Sequence, residues 1–201
     1  MGMNFFKLSF QTCSATDFVS SWSKCYDEGK YSDQDYERNL NKQGLLTPEN
    51  VQFLLEWKNA KHLPGKKQSI ADTVKSKIAK INEFRQLPKV SDEEFDKFWF
   101  FISTIVKSGI VWKVFLLHIS RPGDYPIVDQ HVLRAWSFLT KKTVEEPEKT
   151  LENYKKYRLH FLELARQSGK DLRDIDKALM AFGQFLKSQF FPNEQAYKVS
   201  S

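Results

Sequence analysis

The chain has 201 residues, of which 41% are hydrophobic and 28% are charged, and this composition excludes a globally disordered protein. The sequence contains no run of about 18 apolar residues and no secretory signal, so we expect no membrane partner and a cytoplasmic location. The net charge of +6 favours a nucleic-acid partner but also describes an ordinary basic surface. The two cysteines are too few for a four-thiolate iron–sulfur cluster, and no cofactor is expected.

Three helices are predicted in the first half of the chain. The capping residues from Ser14 to Asp17 open the first helix, which is expected to end near Gly29. Thr47 and the proline after it mark the start of the second, whose helical spacing places on one face Val51, Leu54, Leu55 and Lys58. After the break at Pro64 and Gly65, one further helix is predicted to end before Pro88, with an apolar face formed by Ile70, Val74, Ile78, Ile81 and Phe84.

Two apolar helices are predicted in the middle of the chain. Ser91 and Glu94 have the spacing of a capping box. The run after them is apolar around much of its circumference, which predicts a central, buried helix containing Phe95, Phe98, Trp99, Ile102, Ile105 and Val106. Gly109 interrupts this pattern, and a second apolar run follows. We therefore predict helices over residues 91–107 and 110–119, joined at Gly109.

The rest of the chain also has a helical pattern. Residues 121–124 form a loop, and another helix is predicted to start near Asp129. Two long helices follow Pro147 and Gly169, and the tail after about residue 192 is expected to fray. Because no segment alternates as a strand would, we predict a single all-α domain over residues 1–201.

The segment over residues 108–136 carries the most informative pattern. A loop with Pro122, Gly123 and Pro126 is followed by a hydrophobic residue, Asp129, one further residue, His131 and another hydrophobic residue, with Arg134 three positions on. The region 99–136, with its hairpin and its aspartate, resembles the helix-hairpin-helix DNA glycosylase superfamily. The resemblance implies an all-α fold with two lobes around a cleft, Asp129 at the mouth of the cleft, and double-stranded DNA with a flipped base as the partner.

An aspartate at this place suits the chemistry that the resemblance implies. Cleavage of the bond between a base and deoxyribose develops positive charge on the sugar, and a nearby carboxylate stabilises that charge and activates water. The base must first leave the helical stack to reach such a site. The alternative is that Asp129 only caps the helix that follows it, by accepting hydrogen bonds from backbone amides.

The chain departs from the family in its hairpin. The family usually has Leu-Pro-Gly-Val-Gly there, whereas the corresponding stretch, residues 105–111, clearly keeps only Gly109. Backbone amides near Ser108 and Gly109 remain candidates for a phosphate contact, because helix N-termini attract anions. The lysine nucleophile of bifunctional members corresponds to Val111 here, and Lys113 lies two positions further, about 200° around a helix. We therefore favour a monofunctional, water-using reaction and keep Lys113 as the weaker catalytic candidate.

Other side chains have two readings each. His131 contacts a phosphate or satisfies local backbone groups, and Arg134 contacts a phosphate or is an exposed helix charge. His118 is expected to be a hydrogen-bonded core histidine, and no metal site is expected because no histidines lie at ligand spacing. The core, rather than a base-stacking surface, is the expected place of five aromatic residues: Trp99, Phe100, Phe101, Trp112 and Trp136.

Three functions follow from these observations. The first is a DNA N-glycosylase that removes a damaged or modified base by hydrolysis. The second is a DNA-binding module that has the same fold without the chemistry, which the degenerate hairpin favours. The third is a helical protein-interaction protein, which scattered rather than clustered basic residues would favour.

Overall fold

The computed structural model describes residues 13–27, 32–40, 44–60, 62–107 and 109–188. These residues form ten α-helices, a 3₁₀ turn at Ser23–Cys25 and no β-strand, which confirms the predicted all-α class. The predicted frayed tail and Ser108 lie outside them. The helices are α1 (Ala15–Trp22), α2 (Asp33–Leu40), α3 (Pro48–Asn59), α4 (Gly65–Ser76), α5 (Ile78–Arg85), α6 (Asp92–Ile105), α7 (Ile110–Ser120), α8 (Gln130–Lys141), α9 (Leu151–Ser168) and α10 (Leu172–Lys187). No helix in these ranges has the length and apolar character needed to cross a bilayer.

The capping residues start helices where the sequence predicts. The Ser91 hydroxyl accepts a hydrogen bond from the Glu94 amide (3.2 Å), and the Glu94 carboxylate accepts one from the Ser91 amide (2.7 Å). Thr47 and Asn50 form the same reciprocal pair at the start of α3. Because each pair satisfies amides that a helix N-terminus leaves without partners, α3 and α6 begin one residue after the cap.

Two predictions in the first half of the chain are wrong, and one helix was not predicted. The first helix ends at Trp22, where the chain tightens into the 3₁₀ turn, rather than near Gly29. The single helix predicted up to Pro88 is two helices, α4 and α5, divided at Lys77. The apolar spacing runs through this break because both short helices bury the same side. The polar helix α2 was not predicted, since it buries only Tyr36 and Leu40.

The most buried helix is α7 rather than α6. Every residue of α7 from Val114 to Ser120 is buried. Helix α6 buries one side and leaves Phe100 72% exposed, which corrects the expectation that this ring lies in the core. Trp136 is a core residue as predicted, with 5% exposure, whereas Trp99, Phe101 and Trp112 are partly buried against the core.

Helix α10 crosses the start of α8 at very short range. A Cβ atom added to Gly183 would lie 1.9 Å from the carbonyl oxygen of His131 and 2.5 Å from its carbonyl carbon. Only a residue without a side chain permits this approach. The contact therefore fixes the first turn of α8, which immediately follows Asp129.

We predict that Gly183→Ala destabilises the protein. In an unobstructed helix, replacing glycine with alanine stabilises by about 1 kcal/mol. Here the new methyl group forces two backbones apart, and we expect the free energy of unfolding in urea to fall by about 1–3 kcal/mol. Gly123→Ala is the control, since no atom lies within 4 Å of its added Cβ, and its unfolding free energy should change little. A more stable Gly183→Ala protein would show that the two helices separate without cost.

Candidate functional site

Asp129 is the N-cap residue of α8. Its backbone is extended, and its Oδ1 atom accepts hydrogen bonds from the amides of His131 (2.7 Å) and Val132 (3.1 Å). Its second oxygen, Oδ2, accepts no hydrogen bond from the described residues, and the side chain is only partly buried. One carboxylate oxygen is thus anchored to the backbone and the other is available to a ligand.

The five residues before Asp129 are held by an unusual set of side chains. Each backbone carbonyl from residue 124 to residue 128 accepts a hydrogen bond from a side chain, and we call this set the carbonyl clamp. The bonds join Arg158 Nε to the carbonyl of Asp124 (2.6 Å), His118 Nδ1 to that of Tyr125 (2.8 Å), the Tyr154 hydroxyl to that of Pro126 (3.2 Å), the Tyr157 hydroxyl to that of Ile127 (3.2 Å) and Lys58 Nζ to that of Val128 (3.3 Å).

The carbonyl clamp supplies hydrogen-bond donors to a buried segment. Residues 125–128 are buried and belong to no helix or sheet, so their carbonyl groups have no regular backbone partners. The donors come from three helices, α3, α7 and α9, so the segment is fixed from several directions. Burial raises the pKa of Tyr154 and of Tyr157 well above the usual value, so both hydroxyls keep the proton that they donate.

His118 links the carbonyl clamp to α2. Because a carbonyl only accepts hydrogen bonds, Nδ1 must carry the proton that it donates to Tyr125, and Nε2 accepts from the Tyr36 hydroxyl. The ring is 7% exposed. The predicted role of His118 as a buried, hydrogen-bonded histidine is therefore confirmed.

Lys58 is one of the residues of this site that the sequence did not single out. Its ammonium group is held on the carbonyl of Val128, next to Asp129, and lies 5.8 Å from the centre of the Phe115 ring. Burial lowers the pKa of the Lys58 ammonium, against the opposing effect of the negative charges of Asp129 and Asp176. The available signal was its position at the end of the apolar face of α3, where a lysine must find a buried partner.

A second ionic cluster lies beside Lys58. The Arg173 guanidinium bonds to Asp33 (2.6 Å) and Asp176, and its centre lies 4.9 to 5.5 Å from the rings of three aromatic residues, Tyr26, Tyr36 and Trp57. Burial raises the pKa of Asp176; the positive charge of Arg173 opposes that shift, and the negative charge of Asp129 adds to it. The carboxylate of Asp129 therefore lies in a field shared with Lys58 and Asp176.

The two predicted DNA-contacting residues of α8, His131 and Arg134, differ in their surroundings. His131 is partly exposed, and its ring lies near the side chains of Gln130 (3.4 Å) and Arg134 (3.5 Å). Arg134 is only 12% exposed, lies 3.9 Å from the Glu146 carboxylate and donates to the carbonyl of Gly183 (3.4 Å). Arg134 is thus not the exposed helix charge of one reading, and its contacts hold α8 against α10.

The predicted hairpin is a short connection between α6 and α7. Gly109 is the N-cap residue of α7 and has a φ of 83°, a conformation that favours glycine. Ser108, the other predicted phosphate contact, lies outside the described residues. The amine of Lys113, in the first turn of α7, lies 5.6 Å from the centre of the Trp99 ring. Among the described residues, Lys113 therefore contacts this ring and not Asp129.

A cleft of about 480 Å³ opens near this region, between α2, the loop after α7 and the start of α10. Its walls include Tyr36, His118, Arg173 and Asp176. Asp129 is not among the described residues that line it. The sequence analysis expected Asp129 at the mouth of a cleft, and this cleft does not meet that expectation.

Comparisons of the chain with protein-family models, with curated proteins and with solved structures found no match. Within the described residues, no group of three or more His, Cys, Asp or Glu side chains is placed to hold a metal ion. Function must therefore be inferred from Asp129 and its surroundings.

We predict that removing clamp hydroxyls loosens Asp129. Tyr154→Phe and Tyr157→Phe each leave a buried carbonyl without a donor, which should lower the free energy of unfolding by about 1–3 kcal/mol. The amides of His131 and Val132, which bond to Asp129, should exchange with deuterium faster in both variants. Tyr26→Phe is the control, since that hydroxyl lies outside the carbonyl clamp. Unchanged exchange at these two amides in the clamp variants would show that Asp129 is held by its own helix alone.

Proposed function

We propose that this protein is a DNA N-glycosylase that removes a damaged or modified base from double-stranded DNA by hydrolysis, on a helix-hairpin-helix fold. The observation that carries the proposal is Asp129, a partly exposed carboxylate with one oxygen anchored, held at the end of the carbonyl clamp. The carbonyl clamp fixes the backbone that leads into this carboxylate from three other helices.

The proposed chemistry uses Asp129 as an electrostatic group. With the base flipped out of the duplex, the deoxyribose lies against Oδ2 of Asp129. As the bond from C1′ to the base breaks, the base leaves with the electron pair and the sugar becomes cationic. The carboxylate stabilises that cation and orients a water molecule, whose oxygen bonds to C1′ and whose proton passes to the carboxylate.

The order of elements supports the same proposal. From α6 to α8, the chain has a helix, a short turn that ends at a glycine with positive φ, and a second helix. A loop rich in proline and glycine follows, and then an aspartate at the N-terminus of the next helix. This is the order that the resemblance implies. The divergence of the hairpin, in which only Gly109 matches the family, favours the alternative of a DNA-binding module without chemistry.

The direct test is a screen of base release. Duplexes that each carry one modified base from a broad panel are incubated with the protein, and abasic sites are detected by alkaline cleavage. Release of one class of base supports the glycosylase. Binding to duplexes without release of any base supports the non-catalytic module, and the absence of both contradicts every DNA reading.

We predict that Asp129→Asn loses base release and keeps the fold. Asparagine still caps α8, but it offers no negative charge to the sugar. Removing one such electrostatic element costs about 10²–10³ in rate, measured in single-turnover reactions. Asp171→Asn is a matched control, since Asp171 caps α10 in the same way through its Oδ1 atom, and its rate should stay near that of the wild type. A full rate in Asp129→Asn would remove the basis of the assignment.

The same reaction distinguishes water from a lysine nucleophile. With water as the nucleophile, borohydride traps no covalent adduct between protein and DNA, and Lys113→Ala lowers base release far less than Asp129→Asn does. A trapped adduct contradicts the water mechanism. Its loss in Lys113→Ala or in Lys58→Met would then identify which amine forms the Schiff base.

A further inference from the structure

Two stretches of the sequence that meet near the hairpin carry no acidic residue. No Asp or Glu occurs from residue 57 to residue 71 or from residue 97 to residue 123. The first stretch contains four lysines, and the second contains three lysines and an arginine. In a chain with 25 acidic residues, this distribution concentrates positive charge on the elements that flank the hairpin.

The structure brings these two stretches into contact. The amine of Lys67, in the first turn of α4, lies 5.1 Å from the centre of the Trp112 ring and donates a hydrogen bond to Asn59 (2.5 Å). Trp112 and Lys113 are in the first turn of α7, and Lys113 lies over Trp99. We call this region the lysine–tryptophan surface, and it consists of Lys66, Lys67, Trp99, Lys107, Trp112 and Lys113.

The cations of this surface are available to a partner. Lys66 and Lys107 are exposed, and Lys67 and Lys113 are partly exposed. In the described part of the chain, none of these four lysines forms an ion pair with a carboxylate, whereas Lys75, Lys97, Lys149 and Lys156 do. The first turns of α4 and α7 also lack acidic residues, unlike those of α3, α6, α9 and α10. Aromatic faces hold two of the amines in place, which reduces the side-chain freedom that binding would remove.

The end of α3 contacts both this surface and the segment that precedes Asp129. Lys58 and Asn59 are consecutive residues at the end of α3; Lys58 bonds to the residue before Asp129, and Asn59 accepts from Lys67. The end of α3 therefore links the start of α8 to the start of α4.

We propose that the lysine–tryptophan surface binds the phosphate backbone of double-stranded DNA, with Lys66 and Lys67 of α4 supplying contacts that the degenerate hairpin lacks. This inference rests on the proposed function and names the surface by which the duplex is held. Side-chain cations on a neighbouring helix take over a task that the family hairpin performs with its backbone. The Trp112 ring holds the Lys67 amine beside the first turn of α7.

The test measures how DNA affinity depends on salt. A fluorescent duplex with a tetrahydrofuran abasic analogue is titrated by anisotropy from 50 to 200 mM salt, with Lys66→Gln/Lys67→Gln, its control and the wild type. Each phosphate contact contributes about 0.9 to the slope of log affinity against log salt. If two contacts are lost, the drop in affinity between 50 and 200 mM salt should be about tenfold smaller for the variant than for the wild type. Lys67→Arg should keep the wild-type slope, since it keeps the charge over Trp112.

The control is Lys141→Gln/Lys142→Gln, which removes two adjacent exposed lysines at the opposite end of α8 from Asp129. Its salt dependence should match that of the wild type, and circular dichroism checks that all variants fold. Equal slopes in both double variants, with wild-type binding and base release intact, would overturn this surface and leave the proposed function standing. Tighter wild-type binding to the single strand than to the duplex would also overturn it. A wild-type protein that binds no DNA at low salt would overturn both.

Discussion

The pairing of five consecutive backbone carbonyls is the constraint on which the site depends. Residues 125–128 are buried, and a buried carbonyl without a donor has a cost in free energy. The donors are one arginine, one lysine, two tyrosines and one histidine. Because these donors sit on α3, α7 and α9, packing among those helices sets the position of Asp129. A loop of ordinary mobility would not hold a carboxylate within the tolerance that the proposed sugar chemistry requires.

Two further contacts carry that rigidity beyond the loop. The close approach at Gly183 fixes the first turn of α8 against α10, and Arg134 adds a bond to the Gly183 carbonyl on the same interface. Arg173 then ties α10 to α2 through Asp33. Asp129 is thus positioned from both sides, by the carbonyl clamp before it and by α10 after it.

Much of the fold follows from local signals in the sequence. Capping residues and apolar spacing predict α3, α6, α7, α9 and α10 because these signals act over one or two turns. The division at Lys77 and the helix α2 escaped prediction since apolar spacing reports which side is buried and not where the hydrogen-bond ladder is interrupted. Phe100 was placed in the core because an aromatic run does not reveal which of its members faces outward.

The site was predicted less completely than the fold. Asp129, Gly109 and His118 were singled out from a pattern confined to 30 consecutive residues. The sequence did not reveal four donors: Lys58, Tyr154, Tyr157 and Arg158. Their partners are backbone carbonyls far away in the sequence. Because every residue has a backbone carbonyl, no sequence pattern shows which one is the partner. Of these four, only Lys58 gave a signal in the sequence, because it is a charged residue on an apolar helix face. The burial of Arg134 was missed for the same reason, since Gly183 and Glu146 are distant in the chain.

The most direct test of the account compares two duplexes that differ by one positive charge. One carries a neutral tetrahydrofuran abasic analogue, and the other carries a pyrrolidine analogue, whose protonated nitrogen resembles the sugar cation that Asp129 is proposed to stabilise. Cationic mimics of a transition state bind more tightly than neutral ones where the enzyme is complementary to that charge, by about 10²-fold or more. The account predicts this preference in the wild type and its loss in Asp129→Asn. Equal affinity for the two duplexes in the wild type, or a preference that survives in Asp129→Asn, would contradict it.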